Sequence, residues 1–375
     1  MSPETTKPVL FVTGHVPPDR VGAFARLHER EGIEVSLFGG RSLHGPSASA
    51  PPTELPFPHR YVRQHETGRL AAGGRYRAVV CSTGGRVALP ASWAGARRAG
   101  AALILWTSLW AHPRSAAHLF SYLALRRLYC SADAIVTYGP HISAYVQARG
   151  ARNVHIAPQA VDNAFWSTPF TGPPEHPSWP HRAQVKFMFA GRADREKGVR
   201  SLIQAWRKSD LKAPAAALVL VGLGSSPPWV PAGGAADLAG AGGVSVIEPV
   251  TAETLRSMYA DADILLVPSI RTSTFREPWG LVINEAMNRG LAVIATDEVG
   301  AVAGGLVRDG HNGLVVPAGD SDALAQAMVR LASDRQLRAR LGAAGAQDVG
   351  AYTQDAWAAG FSKALATVGL ARSHW

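Results

Sequence analysis

Cysteine is nearly missing from this chain: Cys81 and Cys130 are the only two in 375 residues, and neither has metal-ligand spacing. That leaves no thiolate metal site to build and makes a reducing, cytoplasmic setting the expectation. Long hydrophobic runs are absent as well. The most apolar stretches, residues 101–106 and 215–221, have strand length and fall short of the roughly 20 residues that span a bilayer. Residues 1–8 are polar, and the apolar run 9–12 is too short for the h-region of a secretory leader. No basic-aromatic reader motif occurs, so the sequence predicts no nucleic-acid partner. Lysine is scarce, and arginine carries most of the positive charge.

What is present is ample apolar material. Hydrophobic residues make up 47% and charged residues 18%, a globular composition, and the length calls for two cores rather than one. The net charge of +10 is unevenly placed: residues 1–165 hold 18 Lys/Arg against 9 Asp/Glu, whereas residues 166–375 hold 20 against 19. A basic N-terminal half suits an anionic partner such as a membrane surface, a lipid phosphate or an acidic polymer. The corresponding location is cytoplasmic, peripheral to the inner membrane face.

Apolar runs and helical patterns alternate along both halves. Strands are expected over 9–13, 34–38, 78–81, 102–106, 134–137 and 154–156, and again over 185–190, 217–221, 244–247, 264–267, 292–296 and 313–316. The runs are continuous rather than alternating, which marks parallel strands covered on both faces. Helices fall between them, at 21–30, 116–129, 141–149, 200–208, 252–259, 282–289 and 321–332, with a terminal one from 354. The fold class is therefore α/β, with two doubly wound sheets facing a cleft. The domains are expected at 1–166 and 184–353. Residues 167–183, with prolines at 169, 173, 174, 177 and 180, form a linker. The terminal segment 354–375 is expected to pack back on the first domain.

The densest chemistry lies in Glu277-Pro278-Trp279-Gly280-Leu281, which leads into a helix carrying Glu285. Pro278 suits a helix start and Gly280 lets the backbone approach a ligand. Unpaired N–H groups of Trp279, Gly280 and Leu281 can hold a diphosphate, while the two carboxylates accept hydroxyl hydrogen bonds on either side. Alone, such a pair reads more simply as a dipole-favoured helix start plus a solvated helix residue. Other loops change the balance. Arg192 and Lys197 lie where the strand 185–190 gives way to a loop, the place for cations that clamp a diphosphate. Gly222 and Gly224 form a turn after the next strand, and Pro249 and Val250 follow another strand end suited to a nucleobase.

Residues 187–345 resemble the nucleotide-binding domain of retaining GT-B glycosyltransferases, family 4. The resemblance rests on the strand-G-R-x4-K-G loop at 191–198, the V-G-x-G turn at 221–224, the strand A-D-A-D-I-L-L-V-P-S at 260–269, and E-x7-E with E-A-M and Gly290. It implies a Rossmann-like GT-B fold and an enzyme of hexosyltransferase type in carbohydrate biosynthesis. A nucleoside-diphosphate sugar would be the co-substrate and a glycan, lipid-linked or small-molecule hydroxyl the acceptor. Arg192 and Lys197 would bind the diphosphate, Glu277 the sugar and Glu285 the ribose. Asp261-Ala262-Asp263 spells a D-x-D, but the resemblance makes that segment structural, so neither metal nor other cofactor is expected. On the acceptor side, His112 is the expected active-site histidine, with Gly14, His15, Arg20, His118 and Tyr138 as further candidates. The segment 39–74 would supply acceptor loops or a mobile lid. The first strand lacks the glycine-rich loop common in the family and keeps only Gly14. Rival readings are an epimerase or hydrolase on the same fold, and a silent nucleotide-sugar-binding subunit. A nicotinamide dehydrogenase is disfavoured because no G-x-G-x-x-G follows the first strand.

Overall fold

A computed structural model describes residues 6–40, 54–114, 116–170, 172, 174, 176–223 and 243–372, with only the backbone for 116–120. The chain divides into two compact units. The first comprises described residues up to Asp162 together with those from Tyr352 onward, and the second comprises Asn163–Ala351.

In the first unit the strands are β1 (Val9–Thr13), β2 (Ile33–Leu37), β3 (His59–Tyr61), β4 (Ala78–Ser82), β5 (Ala102–Thr107), β6 (Ala134–Thr137) and β7 (Val154–Ile156). They form one sheet in the order β3-β2-β1-β4-β5-β6-β7, with every neighbouring pair parallel. The helices are α1 (Val21–Glu31), α2 (Glu66–Ala72), α3 (Ala88–Ala99), α4 (Ala116–Ser131) and α5 (Pro140–Gln147). β1 is buried at all five positions, as a central parallel strand covered on both faces must be. The segment 39–74 is not all loop: β3 and α2 lie within it. β3 escaped the sequence pattern because it is a three-residue edge strand, His-Arg-Tyr, with no buried position.

The second unit opens with α6 (Asn163–Ser167), which lies just ahead of the expected linker. Arg256 donates to the Phe165 carbonyl at 3.2 Å and Arg289 to the Thr168 carbonyl at 2.8 Å, fastening this helix to its unit. Its strands are β8 (Val185–Ala190), β9 (Ala216–Val221), β10 (Val244–Ile247), β11 (Ile264–Val267), β12 (Ala292–Thr296) and β13 (Gly313–Val316). All pair in parallel in the order β10-β9-β8-β11-β12-β13. Its other helices are α7 (Val199–Ser209), α8 (Ala252–Asp261), α9 (Val282–Asn288), α10 (Gly300–Ala303), α11 (Ser321–Ser333) and α12 (Arg335–Val349). α7 buries Val199, Leu202, Ile203 and Trp206, the i, i+3, i+4, i+7 stripe of a helix laid on a sheet. Full burial of an aliphatic side chain such as Leu202 stabilises by about 1.5–3 kcal/mol.

The last helix, α13 (Gln354–Thr367), belongs to the first unit. Thr353 caps it, its hydroxyl accepting from the Ala356 N–H at 3.0 Å. Trp357 and Phe361 enter an aromatic cluster with Phe11, Phe24 and Trp106. Among the described residues no helix is long and apolar enough to cross a membrane.

Candidate functional site

In the second sheet the strand order reverses between β8 and β11, and crevices of open α/β sheets form at such switch points, outside the carboxyl ends. β8 passes to Gly191, then to a 3-10 turn over Arg195–Lys197, and then to Gly198. Gly198 has φ +68°, and a β-carbon there would come within 1.8 Å of the Pro268 carbonyl oxygen. Only glycine allows that approach. The Ile270 N–H also donates to the Glu196 carbonyl at 2.8 Å, so the loop is fastened to the chain just past β11.

This fastening places Lys197 beside Glu277. The Lys197 Nζ donates to Glu277 Oε2 at 2.5 Å, with the side chains 23% and 9% exposed. A carboxylate so enclosed needs a partner, since leaving it unpaired would carry its full desolvation cost. The backbone of Glu277 is fixed separately: it bridges in parallel to Val299, and its carbonyl accepts from the Gly300 N–H at 3.0 Å. Arg276 next to it pairs with Glu298.

Trp279 turns inward, and its indole N–H donates to the buried Asn284 Oδ1 at 2.8 Å. Gly280 has φ +92°, and α9 then starts at Val282. Among the described residues the N–H groups of Gly280 and Leu281 donate to no protein acceptor. α9 has only seven residues, so any attraction for an anion comes from these local N–H groups more than from a long helix dipole. Glu285 is half-buried on α9, and its Oε2 accepts from the Tyr259 hydroxyl of α8 at 3.0 Å.

Arg192 stands apart from the Lys197–Glu277 contact. Its guanidinium is half-exposed and pairs with Asp194 at 2.9 Å. Gly222 packs closely on Gly191, 3.0 Å separating a β-carbon position from the Gly191 carbonyl oxygen. Pro249 and Val250 follow β10, half-buried, ahead of the Thr251 cap of α8. Gly224 lies outside the described residues. Both carboxylates of the D-x-D are engaged in the fold. Asp261 accepts from the Trp179 indole N–H at 2.6 Å and pairs with Lys186 at 3.3 Å, and Asp263 accepts from the Lys186 backbone N–H at 2.8 Å.

The first unit has its own switch point between β1 and β4. Gly14 and His15 follow β1, and the His15 ring lies against Gly39. Arg20 is brought together with Tyr138: its guanidinium lies 5.3 Å from the Tyr138 ring centre and 5.3 Å from that of Trp106, and it donates to the buried Gln159. His112 is half-buried on the loop after β5, its ring edge-on to Tyr122 at 5.1 Å. The side chain of His118 lies outside the described residues.

The profile of the family described as glycosyl transferases group 1 matches residues 184–334. The matched stretch lies within the second unit. The phosphatidyl-myo-inositol mannosyltransferase of Mycolicibacterium smegmatis is 31% identical over 195 residues, 52% of this chain and 46% of that protein. The D-inositol 3-phosphate glycosyltransferase of Stackebrandtia nassauensis is 38% identical over 117 residues, 30% of this chain and 24% of that protein. The chain thus spans less than half the length of the curated relatives it matches. Among solved structures, sucrose-phosphate synthase from Thermosynechococcus elongatus superposes with a TM-score of 0.71 at 19% identity, covering 97% of this chain and 99% of that one. Anabaena HepE in complex with UDP and glucose gives 0.71 at 16% identity, covering 96% and 100%. The two Rossmann-like units are therefore those of the GT-B glycosyltransferase fold.

Within the second unit, sequence reasoning missed Tyr259 and Asn284, which hold Glu285 and Trp279. A tyrosine near the end of an amphipathic helix reads as core, and Asn284 sits beside a residue already singled out. The spacing of Asn284 five residues after Trp279, within reach across a helix start, was the available signal.

Proposed function

We propose that the chain is a retaining, metal-independent glycosyltransferase of family 4, moving a hexosyl group from a nucleoside-diphosphate sugar to an acceptor hydroxyl of a glycan, a lipid-linked sugar or a small molecule. The observation that carries this reading is the Lys197–Glu277 pair, joined at 2.5 Å at the β8/β11 switch point. A cation there meets the donor diphosphate and the carboxylate meets sugar hydroxyls, with Arg192 adding positive charge and the Gly280 and Leu281 N–H groups adding donors. Trp279 contributes its backbone and structural indole. Glu285 takes the ribose, and Gly222, Gly224, Pro249 and Val250 line the nucleoside side.

In this mechanism the bond from the anomeric carbon to the diphosphate breaks as the bond to the acceptor oxygen forms on the same face. The acceptor proton passes to the departing diphosphate oxygen, whose charge Lys197 and Arg192 stabilise. Two cations do the work of a divalent ion, and the D-x-D carboxylates are engaged in packing the fold. His112 is the proposed active-site histidine, and Gly14, His15, Arg20, His118 and Tyr138 stay on the acceptor side. The basic N-terminal half suits peripheral contact with an anionic membrane from the cytoplasmic side.

A thermal-shift screen with UDP-, GDP-, ADP- and dTDP-sugars tests the donor, since a ligand that binds only the native state raises its apparent stability. UDP comes first because HepE was crystallised with it. Lys197→Ala and Glu277→Ala are expected to lower kcat/KM by about a hundredfold or more, the scale of losing a charge-stabilising group. Near-normal transfer by both variants would sink the site. Incubating donor without acceptor separates the rivals: epimerised or hydrolysed sugar at transferase-like rates would replace this reading.

A further inference from the structure

Tyr259, near the proposed donor site, is fully enclosed, with 0% exposure on α8. Its ring meets the edge of Trp166, from α6, at a centroid distance of 5.7 Å. Its hydroxyl reaches Glu285 Oε2 at 3.0 Å. A buried phenol is costly unless its hydroxyl is hydrogen-bonded, so a tyrosine at a core position is best explained by the carboxylate it meets.

We propose that Tyr259 is a positioning residue that fixes Glu285 for a ribose hydroxyl of the donor, and so makes the site prefer nucleotides carrying that hydroxyl. This rests on the donor-site reading above. A glutamate on a helix surface loses rotamer freedom when it engages a ligand, and a tyrosine locked in the core removes much of that freedom in advance. A carboxylate has about four acceptor positions on its two oxygens, and the Tyr259 hydroxyl takes one of them. Burial, followed by the charge of Glu285 and their hydrogen bond, pushes the phenol far above the usual tyrosine range. The hydroxyl therefore remains a donor at every working pH. Its proton goes to Glu285, which fixes that carboxylate in place for the ligand.

The test is calorimetric titration of the full chain with UDP, GDP, ADP and dTDP, and with the analogues of the tightest binder that lack its 2′ or 3′ hydroxyl. The native protein should prefer the hydroxyl-bearing nucleotide by about tenfold or more, the scale of a hydrogen bond to a charged group. Tyr259→Phe should weaken that nucleotide about three- to tenfold and leave the deoxy analogue within about twofold, so the preference shrinks. A purely structural tie between α8 and α9 would weaken both nucleotides equally, and that result overturns the proposal. Glu285→Gln, which keeps Tyr259 and can still accept its hydrogen bond, should also shrink the preference. An unchanged ratio in this variant overturns the proposal even if Tyr259→Phe fails to fold. If the native protein binds none of the four nucleotides, the donor-site reading fails and takes this inference with it. Binding with an unaltered preference overturns the inference alone.

Discussion

At the scale of single residues, the site depends on backbone positions that only glycine fills. Gly198 and Gly310 share φ +68° within the second unit, but they differ in surroundings: a β-carbon at Gly198 meets the Pro268 carbonyl oxygen at 1.8 Å, whereas one at Gly310 meets nothing within 4 Å. Gly310→Ala should therefore cost only the left-handed penalty of about 1–2 kcal/mol. Gly198→Ala should cost more than that, because the loop must also lift from β11, and it should lose nucleotide binding as Lys197 moves. Urea unfolding of both variants checks this, and equal losses would show that the contact with Pro268 is unimportant. The sequence showed Gly198 and Lys197 as parts of a motif, but not why they are adjacent. Gly198 is needed for close approach to Pro268, 70 residues further along the chain but next to it in space, and a sequence pattern carries no distances. Lys197 and Glu277 were likewise both named as candidates, while their contact was visible only in the fold. Tyr259 stayed hidden because its periodic position marks burial and says nothing of its hydroxyl.

At the scale of elements, legibility followed burial. β1, β6, β8 and β12 have the bounds their apolar runs suggest, because both faces are covered; Lys186 in β8 is the charged exception and pairs with Asp261. α3 and α12 were not expected. α3 carries Pro90 and Gly95, and α12 is rich in alanine and glycine with a weak apolar stripe, so their packing against neighbours settles what local pattern leaves open. The seam between β7 and α13 makes a prediction of its own. The His155 Nε2 lies 2.7 Å from Asn153 Oδ1 and 3.2 Å from the Thr367 hydroxyl. Burial first, and then the positive charge of Lys363 on α13, hold His155 below its ordinary value of 6.5. The unfolded chain therefore binds this proton at a higher pH than the folded one does. Stability at this seam is full above 6.5 and falls as the pH drops below it towards the lowered native value. His155→Gln should flatten the decline of Tm between about pH 7 and pH 5, the span in which a histidine titrates. Parallel Tm profiles for the two proteins would remove His155 as a cause.

At the scale of the whole molecule, each unit has a separate core, and the first is assembled from both ends of the chain. The core of the second unit is drawn from β8–β13 and the helices around them. That of the first combines Phe11, Phe24 and Trp106 with Trp357, Phe361 and Leu365 of α13. Sequence pattern anticipated the two sheets and a helix after residue 354, and that helix lies in the first unit. Phe361 touches the rings of Phe11, Trp106 and Trp357, with centroids 5.5, 6.0 and 4.5 Å apart. Truncating it to alanine should cost about 3–5 kcal/mol, a large share of the roughly 5–15 kcal/mol that holds a domain together. Ending the chain at Ala351 removes all of these contacts at once and strips Phe11 and Phe24 of their contacts with Trp357, and Phe11 of its contact with Phe361. Trypsin should then degrade the arginine-rich segment 6–162 rapidly while a fragment near 163–351 persists, and the nucleotide that binds the full chain should protect that fragment further. Digestion of both segments at their full-length rates would mean that α13 is dispensable to the first core. Loss of both together would mean that the second unit does not hold its fold without the first.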